Sequence, residues 1–351
     1  MKRNAGNFTM PVLLLVFVAI SLGFHLPLQA QTDTFFKGKT IRIIGGTGGF
    51  YESWARIIAR HMGKHIPGNP NIIVQPMLGA GSLIAANYVY GVAKPDGLTV
   101  GMFLNTIYLD QLGGRKEVQF SAEKDGWIGS PVGEAMMLYM RADTPYKSIA
   151  DIIKAKEPPK CGATGTASSS YILAMLLEET VGAKFISVLG YQGSGDTDMA
   201  VEKGEVVCRA HNISAHFGRE PFDSWHKKGF DRHIVQTGRK RDQNLPDTPT
   251  LYELMDQYKT PELSRRAVQV ILAGGEFGRP LVATPGTPPE RLNILREAFA
   301  KSMKDPELLA EAKKSKMDVD PSTAEELDAL IKEAMSQPKE VNERVRKLLG
   351  N

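Results

Sequence analysis

Short apolar runs alternate along the chain with segments of helical period, and glycine-rich turns mark each switch. Ile41–Ile44 leads into Gly45, Gly46, Gly48 and Gly49, after which Tyr51, Ala55, Ile58, Ala59 and Met62 recur on one helical face. Ile72–Gln75 runs into the turn Met77–Ser82 and then the helix Leu83–Val89, for which Ser82 is the expected N-cap. Lys94–Gly97 has turn composition, and Leu98–Leu104 reads as a third strand. The order βαβαβ predicts a parallel sheet with its loops at the strand carboxyl ends, where ligands of open α/β sheets sit.

From Ile128 the pattern changes to two apolar runs around Gly133 and Glu134, followed by a helix near Ser148–Lys156. A second βαβαβ set then begins. Its strands are Lys160–Ala163, Lys184–Leu189 and Glu205–Arg209, and its helix Tyr171–Val181 follows the turn Thr164–Ser170. Tyr191–Asp196 is another glycine-serine turn, and the last strand ends at His211–Asn212. His233–Thr237 reads as a strand returning to the first set, and Leu281–Ala283 as a later one. Ser322 and Glu325 have capping-box spacing, and Pro338 breaks a helical tail. The expectation is an α/β protein of two lobes, each a mainly parallel sheet flanked by helices, whose turns face a common cleft. The lobes take residues 31–131 with 236–351, and 132–235.

The N-terminus adds a compartment. Lys2 and Arg3 precede an apolar run from Pro11 to Phe24, and small residues suit cleavage after Ala30. Residues 1–30 thus have the layout of a secretory signal peptide, and the run is short for a membrane span. The net charge of +4 comes without a long basic run, which argues against a nucleic-acid partner. Cys161 and Cys208 are the two cysteines, and an exported protein can pair them.

The turns carry the candidate chemistry. Glycine turns before helix starts bring main-chain N–H groups and a partial positive charge to one spot, which favours an anion. The first loop is not a Rossmann fingerprint, because Tyr51 stands at the third glycine position, nor a P-loop, because Phe50–Tyr51–Glu52 replaces Gly-Lys-Ser/Thr. No cofactor is expected. Tyr51 either faces the cleft or packs, and Trp54 packs. Glu52 is expected to accept N–H groups of the loop. Ser168, Ser169 and Ser170 are expected to donate to a carboxylate, with simple capping of the helix as the alternative, and Asn212 either reaches the cleft or closes a turn. His61 and His65 lack the Glu of H-E-x-x-H, since Met62 stands there, so no metal site is expected. Ser194 lies in Gly-Ser-Gly, without the surroundings of a nucleophile elbow, so no catalytic residue is expected.

Six segments together resemble a known family, the substrate-binding proteins of tripartite tricarboxylate transporters, or Bug receptors. They are Gly48–Arg56, Leu78–Gly81, Pro95–Thr99, Tyr191–Gly195, Leu245–Thr250 and Pro285–Pro288. The resemblance spans the chain beyond the signal peptide. It implies a periplasmic binding protein of the type II-like, Venus-flytrap kind: a monomer that closes on a small carboxylate. The implied partners are the large and small membrane subunits of a permease. The implied ligand set is Gly48, Gly49, Phe50, Tyr51, Glu52, Gly79, Ala80, Gly81 and Ser82 from one lobe. The other lobe supplies Thr166, Ser168, Ser169, Ser170, Gly193, Ser194, Gly195 and Asn212. The family topology also makes the strands of Cys161 and Cys208 neighbours, within reach of a disulfide. Three departures bear on the ligand: the first loop lacks the family's prolines, Glu52 takes an Asp position, and Phe50, Tyr51 and Trp54 add aromatic bulk. A receptor serving a sensor kinase and an exported α/β hydrolase are the alternatives.

Overall fold

The computed structural model describes Met1 and residues 35–165, 168–217 and 220–350, with Ser194 described by its backbone alone. The signal-peptide reading of residues 1–30, beyond Met1, lies outside the described residues, as does Thr166.

The first lobe opens with β1 (Thr40–Gly45), α1 (Phe50–His61), β2 (Asn71–Pro76), α2 (Leu83–Gly91), β3 (Thr99–Met102), α3 (Ile107–Gly113) and β4 (Gly126–Ser130). The chain then crosses to β5 (Met136–Arg141), α4 (Ile149–Lys154), β6 (Lys160–Ala163), α5 (Ser169–Val181), β7 (Ile186–Leu189) and α6 (Ser194–Lys203). The second sheet is completed through β8 (Cys208–Asn212), α7 (Ile213–His216), α8 (Phe222–Lys228) and β9 (Asp231–Gln236). The return comprises α9 (Leu251–Gln257), α10 (Glu262–Phe277), β10 (Leu281–Ala283), α11 (Pro289–Ser302), α12 (Pro306–Lys314), β11 (Ser322–Thr323), α13 (Ala324–Met335) and α14 (Lys339–Leu349).

Strand order is β11-β4-β10-β3-β1-β2 in one sheet and β7-β6-β8-β5-β9 in the other. Both sheets are mixed. β1 pairs in parallel with β2 and β3, whereas β10 lies antiparallel between β3 and β4. Likewise β6 pairs in parallel with β7 and β8, and β5 lies antiparallel between β8 and β9. Most strands therefore point one way; β5 is the reversed strand of the second sheet, and in the first β10 is reversed in the interior and β11 at the edge. β9 joins the second sheet, beside β5, rather than returning to the first. Alternation alone does not name a strand's neighbour.

α1 shows how the pattern becomes packing. Tyr51, Trp54, Ala55, Ile57 and Ile58 are buried on one face, while Arg56 and Arg60 are exposed. Each large apolar side chain so buried stabilises the fold by roughly 1.5–3 kcal/mol. α10 is a wedge between the lobes. Its Phe277 stacks on Trp127 of β4, with ring centres 5.5 Å apart, and its Val268 and Ile271 share one apolar core with Leu138, Met140 and Leu173 of the second lobe. Just before α10, the Thr260 hydroxyl donates to the Thr180 carbonyl of α5 at 2.6 Å.

The two crossings between the lobes run side by side. The Met136 amide donates to Thr237 Oγ1 at 2.8 Å, and the Thr237 amide to the Met136 carbonyl at 2.9 Å. Cys161 and Cys208 are in register on adjacent parallel strands, with Cα atoms 4.5 Å apart, and are joined as a disulfide. The capping box before α13 is Thr323 with Glu326, one residue beyond the Ser322–Glu325 spacing; a second box, Thr250 with Glu253, opens α9.

Candidate ligand-binding site

Three parallel strands of the first lobe end together, and their loops are tied to one another. The Gly46 amide donates to the Met102 carbonyl at 3.0 Å, and the Met77 amide to Gly45 at 2.9 Å. A Cβ on Gly46 would lie 2.8 Å from both Cβ and Oγ of Ser82, so only glycine admits this approach. The expected N-cap role of Ser82 is not what the structure shows. Ser82 adopts a left-handed backbone with no side-chain cap bond, and its buried hydroxyl instead accepts from the Leu104 amide at 3.1 Å. The close packing against Gly46 turns the side chain inward.

The loop carrying Ser82 has positive φ at four consecutive residues: Gly79 134°, Ala80 47°, Gly81 65° and Ser82 74°. For Ala80 and Ser82 this conformation costs on the order of 1 kcal/mol each. Gly79 is half-buried, and Ala80 and Gly81 are exposed at the rim. α1 begins at Gly49 without a side-chain cap, which leaves its first N–H groups to solvent or to a ligand. Glu52 does not accept those N–H groups. Its Oε1 pairs with Arg56 one turn on, at 2.5 Å, because the i,i+4 partner is on the same face.

The turns of the second lobe are internally bonded. Ser168 caps α5, its hydroxyl accepting from the Tyr171 amide at 3.4 Å and donating to the Gly165 carbonyl at 2.7 Å. Ser170 is buried and ties α5 to β8, its hydroxyl donating to the Ala210 carbonyl and accepting from the Ala210 amide. These two hydroxyls are therefore engaged by the fold itself rather than held ready to donate; Ser169 is half-buried between them. Gly193 begins α6 without a side-chain cap, Gly195 is exposed, and Asn212 is half-buried at the carboxyl end of β8.

Where the lobes meet, a polar network forms that the sequence pattern did not disclose. Tyr51 is buried, and its hydroxyl lies 3.2 Å from Glu134 Oε2 and 3.1 Å from the Gly278 carbonyl while accepting from the Asn105 amide at 3.2 Å. Asn105 Nδ2 donates to Glu134 Oε2 at 3.1 Å and to the Gly274 carbonyl at 2.6 Å. Arg279 pairs with Glu134 Oε1 at 2.5 Å, and both side chains are nearly fully buried. The Arg279 guanidinium also lies over the rings of Phe50 and Tyr51, at 5.6 and 5.4 Å. Burial pushes the Glu134 carboxyl above its usual range, opposed by the Arg279 charge and the bond from Tyr51. A shallow recess open to solvent adjoins this network, lined by Phe50, Trp54, Arg279 and the 316–318 turn of the first lobe and by Val132 and Ser214 of the second. The available signal was a Glu between two apolar runs and an Arg before a buried strand; neither says which partner it meets.

The sequence profile of the TctC family, the tripartite tricarboxylate transporter family receptors, matches residues 54–346. The chain belongs to that family. The receptor is 29% identical over 287 residues to a Cupriavidus necator protein described as the UPF0065 protein in the gbd 5' region, covering 80% of this chain and 79% of that one. Its fold is similar to a TctC solute-binding protein from Polaromonas, with a TM-score of 0.69 and 20% identity over 89% of this chain and 98% of the other. It is also similar to a Rhodopseudomonas palustris protein solved with adipate, with a TM-score of 0.59 and 18% identity over 89% and 98% of the two chains. The family is one of solute receptors rather than enzymes. Among the described residues, no helix is long and apolar enough to cross a membrane.

Proposed function

We propose that the receptor is exported to the periplasm by residues 1–30 and captures a small carboxylate between its lobes for delivery to the large and small membrane subunits of a tripartite permease, acting as a monomer. The observation that carries this reading is the convergence of three strand-end loops on the uncapped start of α1, next to an interlobe recess walled by Arg279. Main-chain N–H groups of residues 48–52 and 79–82 are the proposed carboxylate anchor, because a helix start and rigid turn amides hold anions without a dedicated charge. Ser169, Gly193–Gly195 and Asn212 are the proposed contacts from the other lobe. The adipate held by the Rhodopseudomonas protein supports a dicarboxylate. The half-buried Phe50 ring, on the wall of the recess, is the proposed contact for an apolar or aromatic body beyond the anchor.

Thermal-shift screening of the purified receptor against adipate, succinate, citrate, benzoate-type dicarboxylates and neutral sugars tests the reading, since a ligand of the folded form raises the melting temperature. A shift with at least one carboxylate and none with sugars is expected. Binding to neutral sugars alone would overturn it. Lobe boundaries at 131/132 and 235/236 further lead us to expect a smaller radius of gyration with the cognate carboxylate.

A further inference from the structure

The second lobe holds a cluster of side chains that carboxylate capture does not use. His216 ends α7, His226 lies on α8, and Asp231 and His233 lie on β9. Their ligand-type atoms all fall within 4.8 Å of one another. His216 Nε2 is 3.1 Å from Asp231 Oδ2, His233 Nε2 is 3.3 Å from the same oxygen, and the two ring nitrogens are 3.3 Å apart. His226 Nδ1 is 2.9 Å from Asp231 Oδ1. Two imidazole nitrogens thus face each other across a gap, and a single carboxylate serves three rings.

We propose that His216, His226, His233 and Asp231 form a tetrahedral site for a divalent transition-metal ion of the zinc class. Zinc binds imidazole nitrogen and carboxylate oxygen at about 2.0–2.2 Å, and the edge of a tetrahedron is about 1.6 times its centre-to-corner distance, which gives donor separations of about 3.3 Å. The separations among His216, His233 and Asp231 are of this length. Three imidazoles with one carboxylate is a donor set that suits zinc, cobalt or copper and not magnesium or calcium, which take oxygen donors. The side chains of His216 and Asp231 are 0% and 1% exposed, whereas His226 and His233 are 24% and 19% exposed, so an ion enters past the latter two rings. Four protein donors fill the coordination sphere, as in structural zinc sites. The ion would fasten α7 and α8 to the edge strand β9 and hold the segment bearing Ser214 beside the interlobe recess.

A second histidine-acid group among the described residues shows the contrast. His61, Asp305 and Glu307 also lie close together, but Lys64 Nζ stands 2.7 Å from Asp305 and 2.6 Å from Glu307 and already supplies the cation.

The test uses full-length receptor purified without a histidine tag and dialysed against a chelator. Calorimetric titration with zinc chloride should show one ion bound per chain, and saturating zinc should raise the melting temperature by roughly 5 °C. Cobalt should give the intense visible bands of a tetrahedral complex. His226→Gln and His233→Gln should each weaken zinc binding at least tenfold and abolish the cobalt bands while melting like the parent protein in chelator. His61→Gln should leave binding intact. Absence of stoichiometric binding, an octahedral cobalt spectrum, or binding that survives both substitutions but is lost in His61→Gln would overturn the proposal. His226 is the more exposed ring, so its variant decides the matter if His233→Gln does not fold.

Discussion

Replacing Arg279 by Met isolates the energetics of the interlobe network. The substitution keeps most of the aliphatic volume and removes the partner that stands 2.5 Å from Glu134. Because both side chains are buried, Glu134 is left as an uncompensated charge away from water, a change that costs about 3–5 kcal/mol. For a chain of this size that is a fall in melting temperature of roughly 4–7 °C. The deficit must depend on pH. Burial already raises the Glu134 carboxyl in the folded protein, and Arg279 is the larger of the two influences opposing that rise. Without it the folded-state pKa climbs further above the unfolded value of about 4.3, so the folded form holds a proton that the unfolded form has released. Stability present below the unfolded pKa is then lost as pH rises through the folded one, which makes the deficit largest near pH 8 and smaller near pH 5. Urea unfolding at both pH values, on the parent, Arg279→Met, Glu134→Gln and the double variant, measures it. The double variant should recover much of the loss, since no charge remains stranded. A deficit under about 1 kcal/mol, a deficit independent of pH, or strict additivity in the cycle would refute the reasoning.

Three further outcomes are expected. The Cys161–Cys208 bond closes a segment with a sequence separation of 47, for which the loop-entropy relation gives about 4 kcal/mol, so the double alanine variant should unfold at clearly lower urea, and thiol titration of unfolded, unreduced protein should find no free thiol. Gly46→Ala places a Cβ against Ser82 and should cost about 1–3 kcal/mol in urea unfolding, with weaker carboxylate affinity by calorimetry. Tyr51→Phe strands the Asn105 amide and removes a donor from Glu134, and should cost about 1–3 kcal/mol by the same unfolding assay, with the apolar contacts of the ring retained.

What the sequence disclosed was mostly local. The strand-turn-helix units of both lobes follow from periodicity and glycine placement, and Leu281–Ala283 is the observed β10 residue for residue. Trp54 packs, as its place further into the helix than Tyr51 implies. Pairing across distance was less legible. The strand read as Glu205–Arg209 begins only at Cys208, and β9 lies beside β5, a pairing that alternation within either segment does not encode. Ser82 carries the composition of an N-cap but the backbone of a left-handed turn, a choice made by its contact with Gly46. Ser168 and Ser170 have the chemistry of anion donors, yet bonds to Gly165 and Ala210 engage them. Glu134 and Arg279 are 145 positions apart, and nothing in either neighbourhood names the other. The three histidines around Asp231 sit at irregular spacings on three elements, and it is the fold that gathers them.

The four left-handed residues from Gly79 to Ser82 move an entropic term from one equilibrium to another. A floppy loop would have to order itself each time a carboxylate arrived, weakening every encounter. Here the ordering is completed when the chain folds, so a carboxylate at the proposed anchor would meet amides already in place, with the cost carried as reduced stability of the empty protein. The proposed anchor thereby sets affinity against robustness at a single turn. Ala80→Gly, which relaxes the backbone at φ 47°, should give a receptor that withstands heat at least as well and grips its ligand less firmly.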